Sequence, residues 1–331
     1  MSTGSDSRSA EPAADVQALL ETFREQDIPK LNMLSVEQAR AFHENMFIPA
    51  IDPEPVGTVE QREIRGPTRD IPLRIYKPEG RGSCPVLVFF HGGGWVLGNL
   101  ETHDSMARAL AARSDCMVVA VDYRRAPEYR FPAAIEDAYT VTRWVANNAE
   151  AIDADADRLA VGGGSAGGNL AAVVTQMARD KTIVTPSIDY QILLYPALDY
   201  SYETTSYLQN AAGYYLTEDQ MAWFWNHYLR AGIDGRNPYA SPLKARDFTG
   251  LPPAFVMTCG FDPLRDEGIA YADRLEEAGV AVDHVNYDGM IHDLVNMRHL
   301  RDPFPDIERA EDALNQAAAV LRDAFETDGE G

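Results

Sequence analysis

Val161-Gly162-Gly163-Gly164-Ser165-Ala166-Gly167-Gly168-Asn169-Leu170-Ala171 decides how the rest of this chain is read. A short apolar run, Leu159 to Val161, ends in glycines, presents one serine and passes at once into helix-forming residues. Gly163 to Gly167 fits G-x-S-x-G, the strand-turn-helix pattern that exposes a nucleophilic serine. A serine on so sharp a turn needs neighbours without Cβ atoms, because strand and helix crowd those positions. The helix N-terminus beneath it offers unpaired N–H groups where negative charge would develop. Alone, a pattern this short arises by chance, so its weight rests on the company it keeps.

That company begins upstream with His91-Gly92-Gly93-Gly94-Trp95, which directly follows the continuously apolar Val86 to Phe90. Acyl transfer needs preorganised N–H donors aimed at an oxyanion, and glycines let the backbone approach that closely. A base and an orienting acid are then expected downstream in the order Ser, Asp, His. Asp262 follows an expected strand within Gly260-Phe261-Asp262-Pro263, and His292 follows the last one within Gly289-Met290-Ile291-His292. The other histidines fit less well: His43, His103 and His227 fall on helical segments, His284 lies inside a strand, His91 belongs to the glycine run, and His299 lies further into the tail. Asp266 and Glu267 read as surface or helix-start acids.

Along the chain, Met1 to about Glu11 reads as a disordered tail, followed by helices at Asp15–Gln26 and Ser35–Phe47. Ser35 with Gln38 makes a capping-box pattern. Thr58–Ile64 and Ile71–Tyr76 alternate around a Gly66-Pro67 turn, as an antiparallel pair does. From Val86 onward strands and helices alternate, which implies a mostly parallel sheet with right-handed crossovers. The alternation stops at Asp199, and 199–248, rich in aromatics with one strong helix at Thr217–Arg230, reads as an insertion before strands and helices resume. The expected division is 1–50 for tail and first cap helices, 51–198 for the first part of an α/β core, 199–248 for a cap insertion and 249–331 for the rest of the core.

Composition bounds the function. The chain has 331 residues, 45% of them hydrophobic, and a formal net charge of −22. That charge argues against nucleic acid and anionic membrane surfaces as partners. No apolar run approaches the roughly 20 residues needed to cross a bilayer, so membrane insertion is not expected. Lysine occurs only at Lys30, Lys77, Lys181 and Lys244, so the basic residues are nearly all arginine. Cys84, Cys116 and Cys259 are an odd, widely spaced set, which favours buried thiols over a disulfide framework or a metal site. With a polar, acidic N-terminus that lacks a signal-peptide pattern, the expected compartment is the cytoplasm.

Taken together, His91–Trp95, Asp122-Tyr123-Arg124-Arg125-Ala126-Pro127-Glu128, the serine turn, Asp262–Gly268 and Gly289–His292 make the chain resemble the hormone-sensitive-lipase-like esterases of the α/β-hydrolase fold, or bacterial family IV. The resemblance runs from about Pro67 to the C-terminus. It implies an eight-stranded, mostly parallel sheet flanked by helices, with a helical cap built from the N-terminal helices and the insertion. It also implies a Ser165–His292–Asp262 triad, with oxyanion donors at Gly93, Gly94 and Ala166. The implied activity is cofactor-free, metal-free hydrolysis of small carboxylic esters with short to medium acyl chains. Trp95, Tyr195, Tyr214, Tyr215, Trp223 and Phe224 are the candidate pocket aromatics.

Members of that family often pair through the last strand or helix, so a homodimer is a further expectation. Two departures stand out: Gly164, where the family carries Asp or Thr, and Asp293, where it usually reads Gly. A carboxylate beside the imidazole would raise its pKa or tighten the pocket, unless it points away into a loop network. Lactone or activated-amide hydrolysis by the same residues, and ligand binding without catalysis, are the alternative activities.

Overall fold

In this computed structural model, residues 8–48, 52–80, 82–180 and 186–326 are described. Eight strands form one sheet: β1 (Thr58–Arg65), β2 (Asp70–Lys77), β3 (Cys84–Phe90), β4 (Met117–Val121), β5 (Ala154–Gly164), β6 (Tyr190–Leu194), β7 (Ala254–Phe261) and β8 (Val282–Ile291). Their order across the sheet is β1-β2-β4-β3-β5-β6-β7-β8. Only the β1–β2 and β2–β4 pairings are antiparallel. From β4 to β8 every neighbour is parallel, as the strand–helix alternation requires.

The central strands read as unbroken apolar runs because both sheet faces are covered. In β3, Val86, Val88 and Phe90 enter one core, while Leu87 and Phe89 enter the other. The first core is closed by α4 (Ala133–Asn148), α5 (Ala166–Asp180) and α8 (Arg265–Glu277). The second is closed by α3 (Asp104–Ser114) and α9 (Glu308–Glu326), with α1 (Ala14–Glu25) packing Val16, Leu19 and Leu20 into it.

The insertion carries α6 (Thr205–Asn210) and α7 (Glu218–Tyr228), each capped at its start by a threonine side chain. The capping box expected at Ser35 starts α2 (Val36–Phe47). Arg40 on α2 ties this helix to the core. Its Nε donates to the Val96 carbonyl at 2.9 Å, its Nη2 to the Ala126 carbonyl at 2.9 Å, and the guanidinium grips Glu128 at 2.8 Å.

Two expectations need correcting. Residues 1–7 lie outside the described residues, but Arg8 to Glu11 are not a loose tail. Ser9 N–H donates to the Asp288 carbonyl at 3.2 Å, Ala13 N–H to the Gly289 carbonyl at 2.9 Å, and Arg8 to Asn210 Oδ1 at 2.9 Å. These bonds lay the segment along the end of β8, where composition alone shows no apolar signal. Glu267, read as a surface or helix-start acid, does stand in the first turn of α8, but it is not at the surface: it is 1% exposed and accepts the N–H groups of Leu198 and Asp199. Burial pushes its carboxyl well above the usual range. The acid holds the chain as it leaves the sheet after β6, a job invisible in a helix-start sequence.

Every strand from β3 to β8 that carries a motif ends at the same sheet edge. Phe90 of β3 pairs with Gly163 of β5, Gly164 with Leu194 of β6, and Leu194 with Met257 of β7. His91, Ser165, Tyr195, Asp262 and His292 therefore emerge side by side, where parallel sheets place their sites. One of the two tightest glycine contacts among the described residues lies under the serine. A Cβ on Gly167 would stand 1.9 Å from the Phe90 carbonyl oxygen, whereas one on Gly82 would meet nothing within 4 Å. Gly167→Ala is expected to lower stability by about 3 kcal/mol, and Gly82→Ala to stay within about 0.5 kcal/mol. Urea unfolding of both variants measures the difference, and equal midpoints would refute the crowding.

Candidate active site

Ser165 sits between β5 and α5 with φ +54, the left-handed conformation that a sharp strand-to-helix turn imposes. Its N–H donates to the Leu194 carbonyl at 2.9 Å, and its own carbonyl accepts the N–H groups of Asn169 at 3.0 Å and Ala197 at 3.2 Å. The hydroxyl lies 2.9 Å from His292 Nε2, and His292 Nδ1 lies 2.7 Å from Asp262 Oδ2. The structure thus brings together all three residues singled out in the sequence. An ionised Asp262 can only accept, so Nδ1 carries the proton and Nε2 is left to accept from the serine.

The loop carrying Asp262 is braced from several sides. Asp262 Oδ1 accepts the Leu264 N–H at 2.8 Å. Asn210, at the end of α6, donates to the carbonyls of Asp262 at 3.1 Å and Gly260 at 3.2 Å. Arg265, 3% exposed, donates to the same Gly260 carbonyl at 2.9 Å. None of these braces was found from sequence. Asn210 has no motif to mark it, and Arg265 lies in a run in which nothing local sets it apart.

His292 is buried, which by itself would disfavour the imidazolium. The charge and hydrogen bond of Asp262, with the charge of Asp293 added, outweigh burial and lift its pKa above the ordinary histidine value. The histidines of the glycine loop behave oppositely. His103 Nε2 accepts the Gly92 N–H at 3.1 Å, so that nitrogen holds no proton. Burial lowers His103 to about 4 and His43 to about 3, and sends His91 well below 6.5. His91 stacks on Tyr123 with ring centroids 4.2 Å apart, and the Tyr123 hydroxyl donates to the His91 carbonyl at 2.9 Å. The loop that presents Gly93 and Gly94 is therefore a buried, neutral, hydrogen-bonded unit.

Gly93, Gly94 and Ala166 line one cleft with Ser165 and His292, where the sequence expected oxyanion donors. The aromatic candidates divide. Trp95, Tyr215 and Phe224 line this cleft, with Phe224 packed directly over Gly94. Tyr214 lines a wider neighbouring cavity. Tyr195 and Trp223 line neither: Tyr195 packs edge-on against His292 at 5.2 Å, and Trp223 lies against Phe224 and His227. His43 and Gln220 line the cleft unforeseen, because they sit on elements whose periodicity spoke only of helices, and Leu31 lies between the two expected N-terminal helices, where no pattern marked it.

A match to the family described as having the α/β-hydrolase fold covers residues 87–296. The chain belongs to the α/β-hydrolase family. The resemblance to its hormone-sensitive-lipase-like esterases holds as well. The chain is 45% identical to the carboxylic ester hydrolase LipN of Mycobacterium tuberculosis over 73% of its own length and 65% of LipN. It is 41% identical to the esterase LipI of the same organism, over 78% of this chain and 80% of LipI. Among solved structures, a thermostable esterase from Pseudomonas putida superposes with a TM-score of 0.90 at 40% identity, covering 96% of this α/β hydrolase and 98% of that chain. Among the described residues no helix is long and apolar enough to cross a membrane, and no group of three His, Cys, Asp or Glu side chains is arranged to hold a metal.

The buried neutral histidines make stability depend on pH. His43, His91 and His103 bind protons below about pH 6.5 in the unfolded chain but far lower when folded. Their contribution is complete above the unfolded value and is lost as pH falls toward their folded values. Through these three the urea midpoint is expected to drop as pH falls from about 7 to 5, a drop partly offset by Glu267, Asp293 and His292, whose folded values are raised. His103→Gln, which keeps an acceptor for the Gly92 N–H without titrating, should flatten that drop.

Proposed function

We propose that this carboxylic ester hydrolase works by two-step acyl transfer through Ser165, His292 and Asp262. His292 Nε2 takes the proton from the Ser165 hydroxyl as Oγ attacks the ester carbonyl. Asp262 holds the imidazole tautomer and stabilises the imidazolium. The N–H groups of Gly93, Gly94 and Ala166 receive the oxyanion. His292 then returns its proton to the leaving alcohol, and water attacks the acyl-serine by the same route to release the acid. The observation that carries this reading is the unbroken chain from serine hydroxyl to imidazole to carboxylate, at 2.9 Å and 2.7 Å, opening into the glycine-lined cleft.

Substrate size follows from the space available. The cleft at the serine has a volume of only about 40 Å³, walled by Trp95, Leu216, Met221 and Phe224. Leu31, His43, Tyr215 and Gln220 line both this cleft and the adjoining cavity of about 280 Å³ beneath α1 and α2. A small apolar group fits at the serine, and the larger part of the ester extends toward the cap. This supports short to medium acyl chains, with 1–50 and 199–248 acting together as the cap over a core of 51–198 and 249–331. All three cysteines are buried and none is disulfide-bonded, which supports a cytoplasmic location. β8 is an edge of the sheet, which supports a homodimer paired there.

Hydrolysis of p-nitrophenyl esters from acetate to palmitate tests the reading, with Ser165→Ala as control. The expected profile peaks between butyrate and octanoate, and the variant loses on the order of a million-fold in kcat. The rate should rise with pH as His292 loses its proton, along a limb displaced above the ordinary histidine value. Residual Ser165→Ala activity comparable to that of the parent would sink the mechanism. Size-exclusion chromatography with light scattering reads the dimer.

A further inference from the structure

Asp293 follows the imidazole directly and adopts φ +68, where glycine would be unstrained and aspartate is one of the few side chains tolerated. It is 9% exposed and lines the cleft with Ser165 and His292. The rest of that lining is glycine, alanine, aliphatic and aromatic side chains, Gln220 and His43, the last kept neutral by burial. Among the described residues Asp293 is thus the one carboxyl in the wall, and no lysine or arginine offsets it.

The groups facing this carboxyl come from every neighbouring element. His292 precedes it, Cys259 and Asp262 approach from the β7 side, Tyr195 follows β6, and Tyr215 belongs to the cap. The Tyr195 hydroxyl and the Asn296 amide nitrogen, neither with a hydrogen-bond partner of good geometry, are the donors turned toward it. Burial pushes the Asp293 carboxyl up to about 6, with His292 acting in the opposite direction. Above that pH the cleft carries a fixed negative charge in water-poor surroundings.

We propose that Asp293 is a specificity-determining residue of this cleft, whose carboxylate rejects esters that carry a negative charge close to the reacting carbonyl. The proposal rests on the esterase reading and deepens it by naming the substrate class: neutral esters are accepted and half-esters of diacids are excluded. Like charges brought together where water is scarce repel strongly, which is how proteins turn away wrong partners. The same carboxylate stabilises the imidazolium of His292, so its removal lowers the proton affinity of the base.

The test compares charged esters with uncharged isosteres of the same shape. Monomethyl succinate against methyl 4-methylpentanoate places the charge on the acyl side. 3-Acetoxypropanoate against isopentyl acetate places it on the alcohol side. The readout is the ratio of kcat/KM, neutral over anionic, at about pH 8, where carboxylates are ionised. Asp293→Asn keeps the shape without the charge, and Asp293→Gly also relieves the left-handed backbone. In the parent enzyme the ratio should be large for at least one pair, and in both variants it should fall about tenfold or more. The acidic limb of kcat/KM for the neutral ester should also move to lower pH in Asp293→Asn. Any loss common to both substrates cancels in the ratio, so a merely structural role leaves it unchanged. Unchanged ratios in an active enzyme overturn this proposal alone. A parent that hydrolyses neither neutral ester brings down the esterase reading and this proposal with it.

Discussion

The site depends on one steric constraint, the contact between the Phe90 carbonyl and the start of α5. Three backbone segments meet there: the end of β3, the turn at Ser165 and the first turn of the helix. A Cβ at Gly167 would fall 1.9 Å from the Phe90 oxygen, and one at Gly163 would fall 2.4 Å from it. Only with both side chains absent can the helix start close enough for Ala166 to share a wall with Gly93 and Gly94. The glycines of the two motifs therefore solve one problem together. The first loop can bring its N–H groups to the serine only if the second turn lets the helix approach. Motifs more than sixty residues apart in sequence are in this sense one structural unit.

Around that unit the protein separates its histidines by environment. His91 and His103 lie under the glycine loop, where burial keeps them neutral and hydrogen bonds hold the loop. A proton on His103 Nε2 would displace the Gly92 N–H that it accepts. His292 is as deeply buried but has a carboxylate at each side, and its pKa moves the other way. In the proposed mechanism His292 is a base in one step and an acid in the next, and such an imidazole needs a counter-charge ready for its protonated form. The three rings differ in what faces them, and burial alone would have made them alike.

The parts legible in the sequence were those set by local rules. Continuous apolar runs marked the doubly covered strands, helical periodicity marked α1 to within a residue at each end, and glycine-rich turns marked where chemistry emerges. Asp262 and His292 were readable because a parallel sheet places site residues just past its strand ends. What stayed hidden was long-range and polar. Glu267 looks like any acid in the first turn of a helix, and nothing nearby in sequence shows that the N–H groups of Leu198 and Asp199 lie against it. Asn210 and Arg8 brace the Asp262 loop from segments far away along the chain. Tyr195 was expected in the pocket as an aromatic, but its ring packs edge-on against His292 instead. Aromaticity reports burial, and which side of a site the ring is buried on is a tertiary fact.

Tyr195 also connects the two departures from the family pattern. A Cβ at position 164 would stand 3.1 Å from its Cε2 and 3.3 Å from its hydroxyl, tighter than ordinary contact. With Gly164 there, the ring lies edge-on to His292, with its hydroxyl among the groups facing Asp293. A side chain at 164 would crowd that ring and shift the hydroxyl. A glycine at 293 would leave the same hydroxyl, already short of partners, with no carboxyl to face. Gly164 and Asp293 thus bear on the same ring, one by leaving room for it and the other by facing its hydroxyl.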